Sequence, residues 1–291
     1  MKKRPGGLSP NRTIALGFLA IILAGALLLM LPIANREGRG LSFLDSLFTA
    51  TSATCVTGLV VADTWTQFSL LGQVILLLLI QVGGLGYMTM MLQASLFLGK
   101  KLGLRQRSVM MESVSADRLS DVLTLLRYIL GGTAAIEGAG AVLLALRFVP
   151  ELGLAQGLWY AVFHSVSAFC NAGFDLMGFR EPYSSLTHYV YDPLVNVTVC
   201  ALVLLGGLGF LVWRDVRENG LRLRRYSLHS KLMLTATVVL TAGGAALFWW
   251  AERGSLLAGM DPGQQALVSL FQAVSPRTAG FNTVDLAKLT S

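Results

Sequence analysis

The feature that most constrains this chain is a set of unbroken apolar blocks, each about as long as a lipid bilayer is thick. Five blocks are long enough to cross a membrane as helices: residues 14–33, 68–98, 123–149, 189–213 and 232–250. The composition agrees, because 54% of the 291 residues are hydrophobic and only 13% are charged, unlike an ordinary soluble domain. The sequence therefore predicts an all-α membrane protein that crosses the bilayer several times.

Lysine and arginine are concentrated between the apolar blocks, in residues 1–13, 99–121 and 214–230. Basic residues favour the cytoplasmic side of a membrane protein. This pattern predicts a multi-pass protein of the plasma or inner membrane with a cytoplasmic N-terminus. It also accounts for the formal charge of +7 without a nucleic-acid partner.

The three connections left on the outside, residues 36–67, 150–188 and 251–291, are too apolar for ordinary loops. Each contains an apolar stretch that is too short to span a bilayer. Such a stretch between spanning helices indicates a re-entrant loop, which is tolerated at membrane depth where protein or a water-filled cavity surrounds it.

These connections contain an internal repeat: FTATSATCVTGL from residue 48, FHSVSAFCNAGF from residue 163 and FQAVSPRTAGF from residue 271. They share a Phe, a small residue two positions on, a Ser four positions on, and a Gly followed by a bulky apolar residue. The segment after the first two loops also repeats, as QVGGLGYM and LLGGLGFL. We therefore divide the chain into a first repeat (1–120), a second (121–226) and a partial third (227–291) that has only its first helix and its loop.

A short helix entering the membrane before each loop would direct the negative end of its dipole inward. Ser42 with Asp45 resembles a capping box, and Asp261 followed by Pro262 is a typical helix start. Glycine then allows backbone angles that a side chain forbids. Carbonyl oxygens from several such loops can replace the hydration shell of a monovalent cation.

At these residues the sequence resembles the Trk/Ktr/HKT superfamily of potassium transporters, most closely the Ktr-type membrane subunit. The likeness lies in SATCVTGL (52–59), NAGF (171–174), SPRTAGFNTVD (275–285) and the GGLG helices. It implies helix–pore loop–helix repeats around a pseudo-fourfold ion pore with re-entrant filter loops. By this resemblance, potassium is coordinated by backbone carbonyls at Val56, Thr57, Gly58, Asn171, Ala172, Gly173, Thr278, Ala279 and Gly280. Glycine at position 58 goes, in this family, with a preference for potassium over sodium.

The resemblance further implies a homodimer that binds a cytoplasmic nucleotide-binding regulatory ring and needs no organic cofactor. Family members have four repeats, whereas this chain ends after its third loop, so we expect a fragment of a longer pore subunit. The alternative is a truncated, non-conducting paralogue that acts as a membrane scaffold. An enzyme is not expected, because no nucleophile and base stand at workable positions.

Several ionisable residues lie near the predicted pore. Asp63, Asp175 and Asp285 follow the three key glycines, and they either ring the outer mouth, where they would concentrate cations, or cap and tether the loops. Arg277 would repel a cation if it faced the axis, so we expect it to point behind the filter and brace the loop. Glu137, in the middle of an apolar block, is either functional or part of close helix packing.

Overall fold

The computed structural model describes residues 10–86, 119–220 and 222–289. Their regular structure is helical, apart from one isolated bridge between Asn35 and Phe68. The α-helices of this part of the chain are α1 (Pro10–Leu29), α2 (Phe43–Cys55), α3 (Thr64–Gln67), α4 (Leu70–Leu85), α5 (Leu119–Leu152), α6 (Leu154–Phe169), α7 (Pro193–Leu208), α8 (Phe210–Asn219), α9 (Leu228–Glu252) and α10 (Pro262–Val274). The predicted all-α class is confirmed for these residues.

The helices follow the order that the sequence repeat predicts. A long apolar helix, a short helix that ends at a glycine loop, and a second apolar helix appear as α1, α2 and α4, and again as α5, α6 and α7. Helices α9 and α10 supply the first two members of a third set. We call α2, α6 and α10 the pore helices from here on.

Side-chain caps fix where several of these helices begin. The Ser42 hydroxyl accepts a hydrogen bond from the Asp45 amide at 3.1 Å, at the start of α2. Before α10, the Asp261 amide donates to Gln264 Oε1 at 3.2 Å, and Pro262 occupies the first helical position. Both starts agree with the sequence prediction, since each cap supplies a partner for a group that the helix leaves unpaired. Helix α6 has no side-chain cap and begins after Gly153, whose φ is +81°.

Neighbouring repeats are joined through the pore helices. Each pore helix packs against the long helix that precedes it, and α6 and α10 also pack against α4 and α7, the second apolar helices of the preceding repeats. A continuous apolar core fills these contacts, with Phe68, Phe148, Phe163 and Phe271 among its buried side chains. The packing therefore sets the positions of the loops that follow the pore helices.

Two predicted spans differ from the helices in the structure. The block 189–213 is not one helix, because α7 and α8 meet at an angle of 93° at Gly209, whose φ is +82°. Helix α4 ends at Leu85, and the rest of block 68–98 from residue 87 onward lies outside the described residues. Gly86 and Gly209, the last glycines of the two GGLG motifs, both have positive φ, so the same motif ends a helix in each repeat.

Length and composition mark Tyr128–Leu152 and Leu228–Glu252 as helices able to cross a membrane, among the residues described. The bent pair α7 and α8 would count as another span if taken together. Ile14–Leu29 and Leu70–Leu85 are apolar but shorter. Many leucines and valines of all these apolar helices are exposed on the protein surface, as expected where lipid is the solvent.

The first glycine of each GGLG motif allows its helix to touch the end of a pore helix. A Cβ added at Gly83 would collide with the carbonyl oxygen of Thr54, and one at Gly206 would collide with that of Phe169. Thr54 and Phe169 each lie four residues before a key glycine. The two contacts are therefore equivalent in the first and second repeats. Each fixes the end of a pore helix, where the loop begins, against the helix that carries the GGLG motif.

The substitution Gly206→Ala should destabilise the protein by about 1–3 kcal/mol, because the added methyl group overpacks a backbone contact. The midpoint of thermal unfolding in detergent measures the effect. Gly138→Ala in α5 is the matched control, since a Cβ there has nothing within 4 Å. Equal losses in the two variants would show that the close approach is not what makes Gly206 necessary.

Candidate functional site

The three loops that follow the pore helices meet at their key glycines. A Cβ built on Gly280 would lie 3.4 Å from the Cα of Gly173 and 3.5 Å from the Cα of Gly58. One built on Gly58 would lie 3.1 Å from the carbonyl oxygen of Ala172, and one on Gly173 would collide with the carbonyl oxygen of Ala279. The space for a side chain is thus taken by a neighbouring backbone at Gly173, is tight at Gly58, and is bounded by van der Waals contacts at Gly280. Residues far apart in sequence converge on one point.

The backbone takes the same unusual course in each loop. The key glycines have φ values of +76°, +69° and +78°, in chain order. The residues two positions earlier, Val56, Asn171 and Thr278, are also left-handed, with φ values of 56°, 60° and 96°. This conformation is costly for β-branched Val56 and Thr278. The sequence predicted unusual backbone angles only at the glycines. The three loops nevertheless share two left-handed turns separated by one residue.

A serine at the end of each pore helix organises the loop after it. The carbonyls of Ser52, Ser167 and Ser275 accept hydrogen bonds from the amides of Thr57, Ala172 and Ala279 at 2.8–2.9 Å. The hydroxyl of Ser167 donates to the carbonyl of Phe174 at 2.7 Å, and that of Ser275 donates to the carbonyl of Phe281. The hydroxyl of Ser52 instead accepts from that of Thr57 at 2.9 Å. These bonds hold the two ends of each loop against its own pore helix.

The carbonyl oxygens of the same loops are left without partners. None of the carbonyls of residues 56–58, 171–173 and 278–280 accepts a hydrogen bond from any residue that the structure describes. Unpaired carbonyls within a protein at membrane depth are costly. A ligand that needs oxygen atoms would relieve that cost. The sequence-predicted filter residues are therefore brought together with their oxygen atoms unpaired.

The backbones are in van der Waals contact where the glycines meet. The distances around Gly58 and Gly280 leave no gap between these two loops for an ion. Gly58 is half-buried, whereas Thr57, Thr278 and Gly280 are exposed. The three loops therefore contact one another at their glycines, and the side that carries Thr57, Thr278 and Gly280 is open.

The three acidic residues after the loops have different surroundings. Asp63 is 6% exposed, and its carboxylate accepts hydrogen bonds from the amides of Thr66 at 2.8 Å and Tyr183 at 3.0 Å. Asp175 is half-buried and accepts from the amide of Met177 at 2.9 Å. Asp285 is exposed and accepts from the amide of Ala287 at 3.0 Å. Tethering is thus the role that the geometry supports for Asp63, which fastens the first loop to the second repeat.

Arg277 points away from the meeting point of the glycines. Its guanidinium donates hydrogen bonds to the hydroxyls of Thr237 and Thr241 on α9, both at 3.1 Å. The side chain therefore braces the third loop against the long helix of its own repeat, as the sequence analysis anticipated. The guanidinium also donates to the backbone carbonyl of Thr237 at 3.5 Å, so two hydroxyls and one carbonyl hold it.

Glu137 joins the first two repeats behind the second loop. Its carboxylate oxygens accept hydrogen bonds from Gln81 Nε2 on α4, at 3.1 and 3.3 Å. The thiol of Cys170, the residue that follows α6, lies 3.9 Å away, and the Ser165 hydroxyl donates to the Glu137 backbone carbonyl at 2.6 Å. These contacts support the packing interpretation of Glu137.

Long apolar helices, short pore helices and glycine loops that meet with free carbonyls define a pore-loop membrane protein. The family model for TrkH, described as "Cation transport protein", matches residues 10–291. The chain therefore belongs to the TrkH family of cation transport proteins.

Named relatives agree with that membership. The chain is 40% identical to the potassium/sodium uptake protein NtpJ of Enterococcus hirae, over 100% of this chain and 63% of the relative. It is 41% identical to the Ktr system potassium uptake protein B of Bacillus subtilis, over 97% of this chain and 62% of the relative. The potassium transporter TrkH from Vibrio parahaemolyticus has the same fold, with a TM-score of 0.66 at 16% identity over 98% of this chain and 54% of that one. The chain thus spans about three-fifths of the length of its curated relatives.

The substitution Ser167→Ala should destabilise the protein by about 1–3 kcal/mol, because it leaves the buried carbonyl of Phe174 without its donor. Thermal unfolding of the purified protein in detergent provides the measurement. Ser184→Ala is the control, since the buried Ser184 hydroxyl has no hydrogen-bond partner among the described residues. If both variants unfold at the same temperature, the bond from Ser167 does not hold the loop.

Proposed function

We propose that the three loops are part of a filter through which potassium ions cross the membrane, with no bond made or broken. The unpaired carbonyls of residues 56–58, 171–173 and 278–280 carry this proposal. An ion that sheds its hydration shell needs replacement oxygens at membrane depth. The C-terminal ends of the pore helices, which precede these residues, add negative potential at the same place.

A monovalent cation, and potassium in particular, is the favoured ion. The names of the relatives from Enterococcus hirae and Bacillus subtilis both include potassium uptake. Neutral carbonyl oxygens, which can replace a hydration shell, also suit a monovalent cation. Sodium also appears in the name of one relative, and the uptake assay below compares the two ions.

A complete filter requires the loops to move apart from the contact seen at Gly58 and Gly280. The relatives are longer than this chain, and a fourth loop inserted on the open side would separate these two backbones. We infer that the conducting form has four loops around one axis. The three repeats, at 1–120, 121–226 and 227–291, would then supply three quarters of its wall.

The finer features of the assembly are also proposals. The protein would be a homodimer in the plasma or inner membrane, with its N-terminus in the cytoplasm and a nucleotide-binding ring as regulator. Exposed Asp285 would attract cations at the outer mouth. Asp63 would act there mainly by tethering its loop. Asp175 would both tether its loop and attract cations.

Uptake by cells tests the proposed function directly. The complete reading frame that contains this chain is expressed in a bacterium without potassium uptake of its own, and radioactive rubidium entry is measured. We expect entry that potassium inhibits at a lower concentration than sodium does. Equal inhibition by sodium would reject the selectivity, and no entry by a correctly inserted protein would favour the non-conducting scaffold.

A pair of glycine variants in the same assay separates filter geometry from backbone strain. Gly58→Ala places a Cβ 3.1 Å from the carbonyl oxygen of Ala172, so the filter backbone must shift, and about 1–2 kcal/mol added to the barrier predicts roughly tenfold slower entry. Gly38→Ala carries the same strain, with φ at +67°, but has nothing within 4 Å. Similar rates in the two variants would contradict a filter at Gly58.

A further inference from the structure

The turn between the second and third repeats carries an arginine cluster that the proposed pore does not use. We call the described residues 209–220 and 222–231 the elbow. Helix α8 leaves α7 at 93°, so α8 runs along the membrane surface if α7 crosses the bilayer. The bend is held by the Trp213 indole, which donates a hydrogen bond to the carbonyl of Leu205 at 3.1 Å and packs edge-on against Phe210.

Asp215 fixes the elbow in one conformation. This buried carboxylate on α8 accepts hydrogen bonds from the amide and hydroxyl of Ser227, at 3.0 and 2.6 Å, and from the hydroxyl of Ser230 at 2.5 Å. The Tyr226 hydroxyl donates to the carbonyl of Gly220 at 2.6 Å. Residues 222–226 are tied together by bonds from the amide of Arg225 to the carbonyl of Arg222 and from the amide of Tyr226 to that of Leu223, so this part of the turn is held in place before any ligand binds.

The fastened turn presents three exposed arginines, Arg222, Arg224 and Arg225. Among the described residues, no carboxylate lies within 4.0 Å of their guanidinium groups. The acids of the elbow are engaged elsewhere, because Asp215 accepts from the serines and Glu218 lies 4.0 Å from Arg214. Within the described part of the chain, these three arginines are therefore a cluster of positive charge that no carboxylate neutralises.

Apolar side chains alternate with these arginines. Leu223 is 60% exposed and Leu228 is 74% exposed, and Leu228 begins the apolar helix α9. The elbow therefore lies where a spanning helix enters the bilayer, with leucines beside guanidinium groups. A phospholipid matches both features, since its acyl chains cover the leucines and its phosphate accepts paired hydrogen bonds from arginine. An acidic soluble partner would leave the leucines facing a polar surface.

We propose that the elbow is a binding site for anionic phospholipid, with Arg222, Arg224 and Arg225 contacting the headgroup phosphates. The site does not depend on the proposed ion pathway. Each basic residue near an anionic membrane surface contributes about fivefold in affinity, so loss of all three arginines should weaken binding on the order of 100-fold.

The test uses the complete protein in detergent, titrated with phosphatidylglycerol, with bound lipid counted by native mass spectrometry. We expect phosphatidylglycerol to bind more tightly than phosphatidylcholine, and the triple variant Arg222→Gln, Arg224→Gln, Arg225→Gln to lose that difference. The matched control replaces Arg36, Arg39 and Arg253 with glutamine. These arginines follow the C-terminal ends of α1 and α9, and this variant should retain the preference for phosphatidylglycerol. A triple change to lysine keeps the charge but not the paired hydrogen bonds, and it should weaken binding only a few-fold.

Several results would overturn the site. These are an unchanged preference for phosphatidylglycerol in the glutamine variant, an equal loss of that preference in the control, or displacement of the bound lipid by free inorganic phosphate at an equal concentration. If the glutamine variant does not fold, the lysine variant decides, because identical lipid affinity to the wild type would then count against arginine contacts. Loss of an acidic protein partner with unaltered lipid binding would assign the elbow to that partner instead.

Discussion

The close approach of three backbones without side chains is the constraint on which the rest of the structure depends. Gly58, Gly173 and Gly280 lie so near one another that a Cβ on any of them would contact or collide with a neighbouring loop. Glycine avoids the strain of φ near +70° at all three positions, and at Gly173 it also avoids a collision with the carbonyl oxygen of Ala279. The pore helices, their serines and the GGLG contacts at Gly83 and Gly206 all serve to deliver three loops to this point with unpaired carbonyls.

The repeat conserves backbone geometry more closely than side-chain chemistry within this chain. Serine hydroxyls reach forward to the carbonyls of Phe174 and Phe281, yet in the first loop Ser52 accepts from Thr57. Val56, Asn171 and Thr278 differ in size and polarity but share the left-handed conformation. The common requirement is therefore the path of the carbonyls, and each repeat meets it with its own residues.

Sequence patterns predicted the class of fold and the meeting of the loops, because apolar length and a motif repeated three times are local signals. They did not predict the bend at Gly209, since residues 189–213 are continuously apolar and hydropathy carries no information on direction. The left-handed angles at Val56 and Thr278 were also missed, because β-branched residues disfavour them and tertiary contacts impose them. Whether Asp63 tethers or attracts ions could not be read from spacing, as its partner Tyr183 is 120 residues away.

The most direct measurement of the central claim is the position of an ion within the complete protein. Crystals grown with rubidium or thallium would give an anomalous signal at the bound ion. The account predicts a peak on the axis shared by Gly58, Gly173 and Gly280, with backbone carbonyls of all three loops as ligands. A peak held only by side chains elsewhere, or an empty axis between loops still in contact, would contradict it.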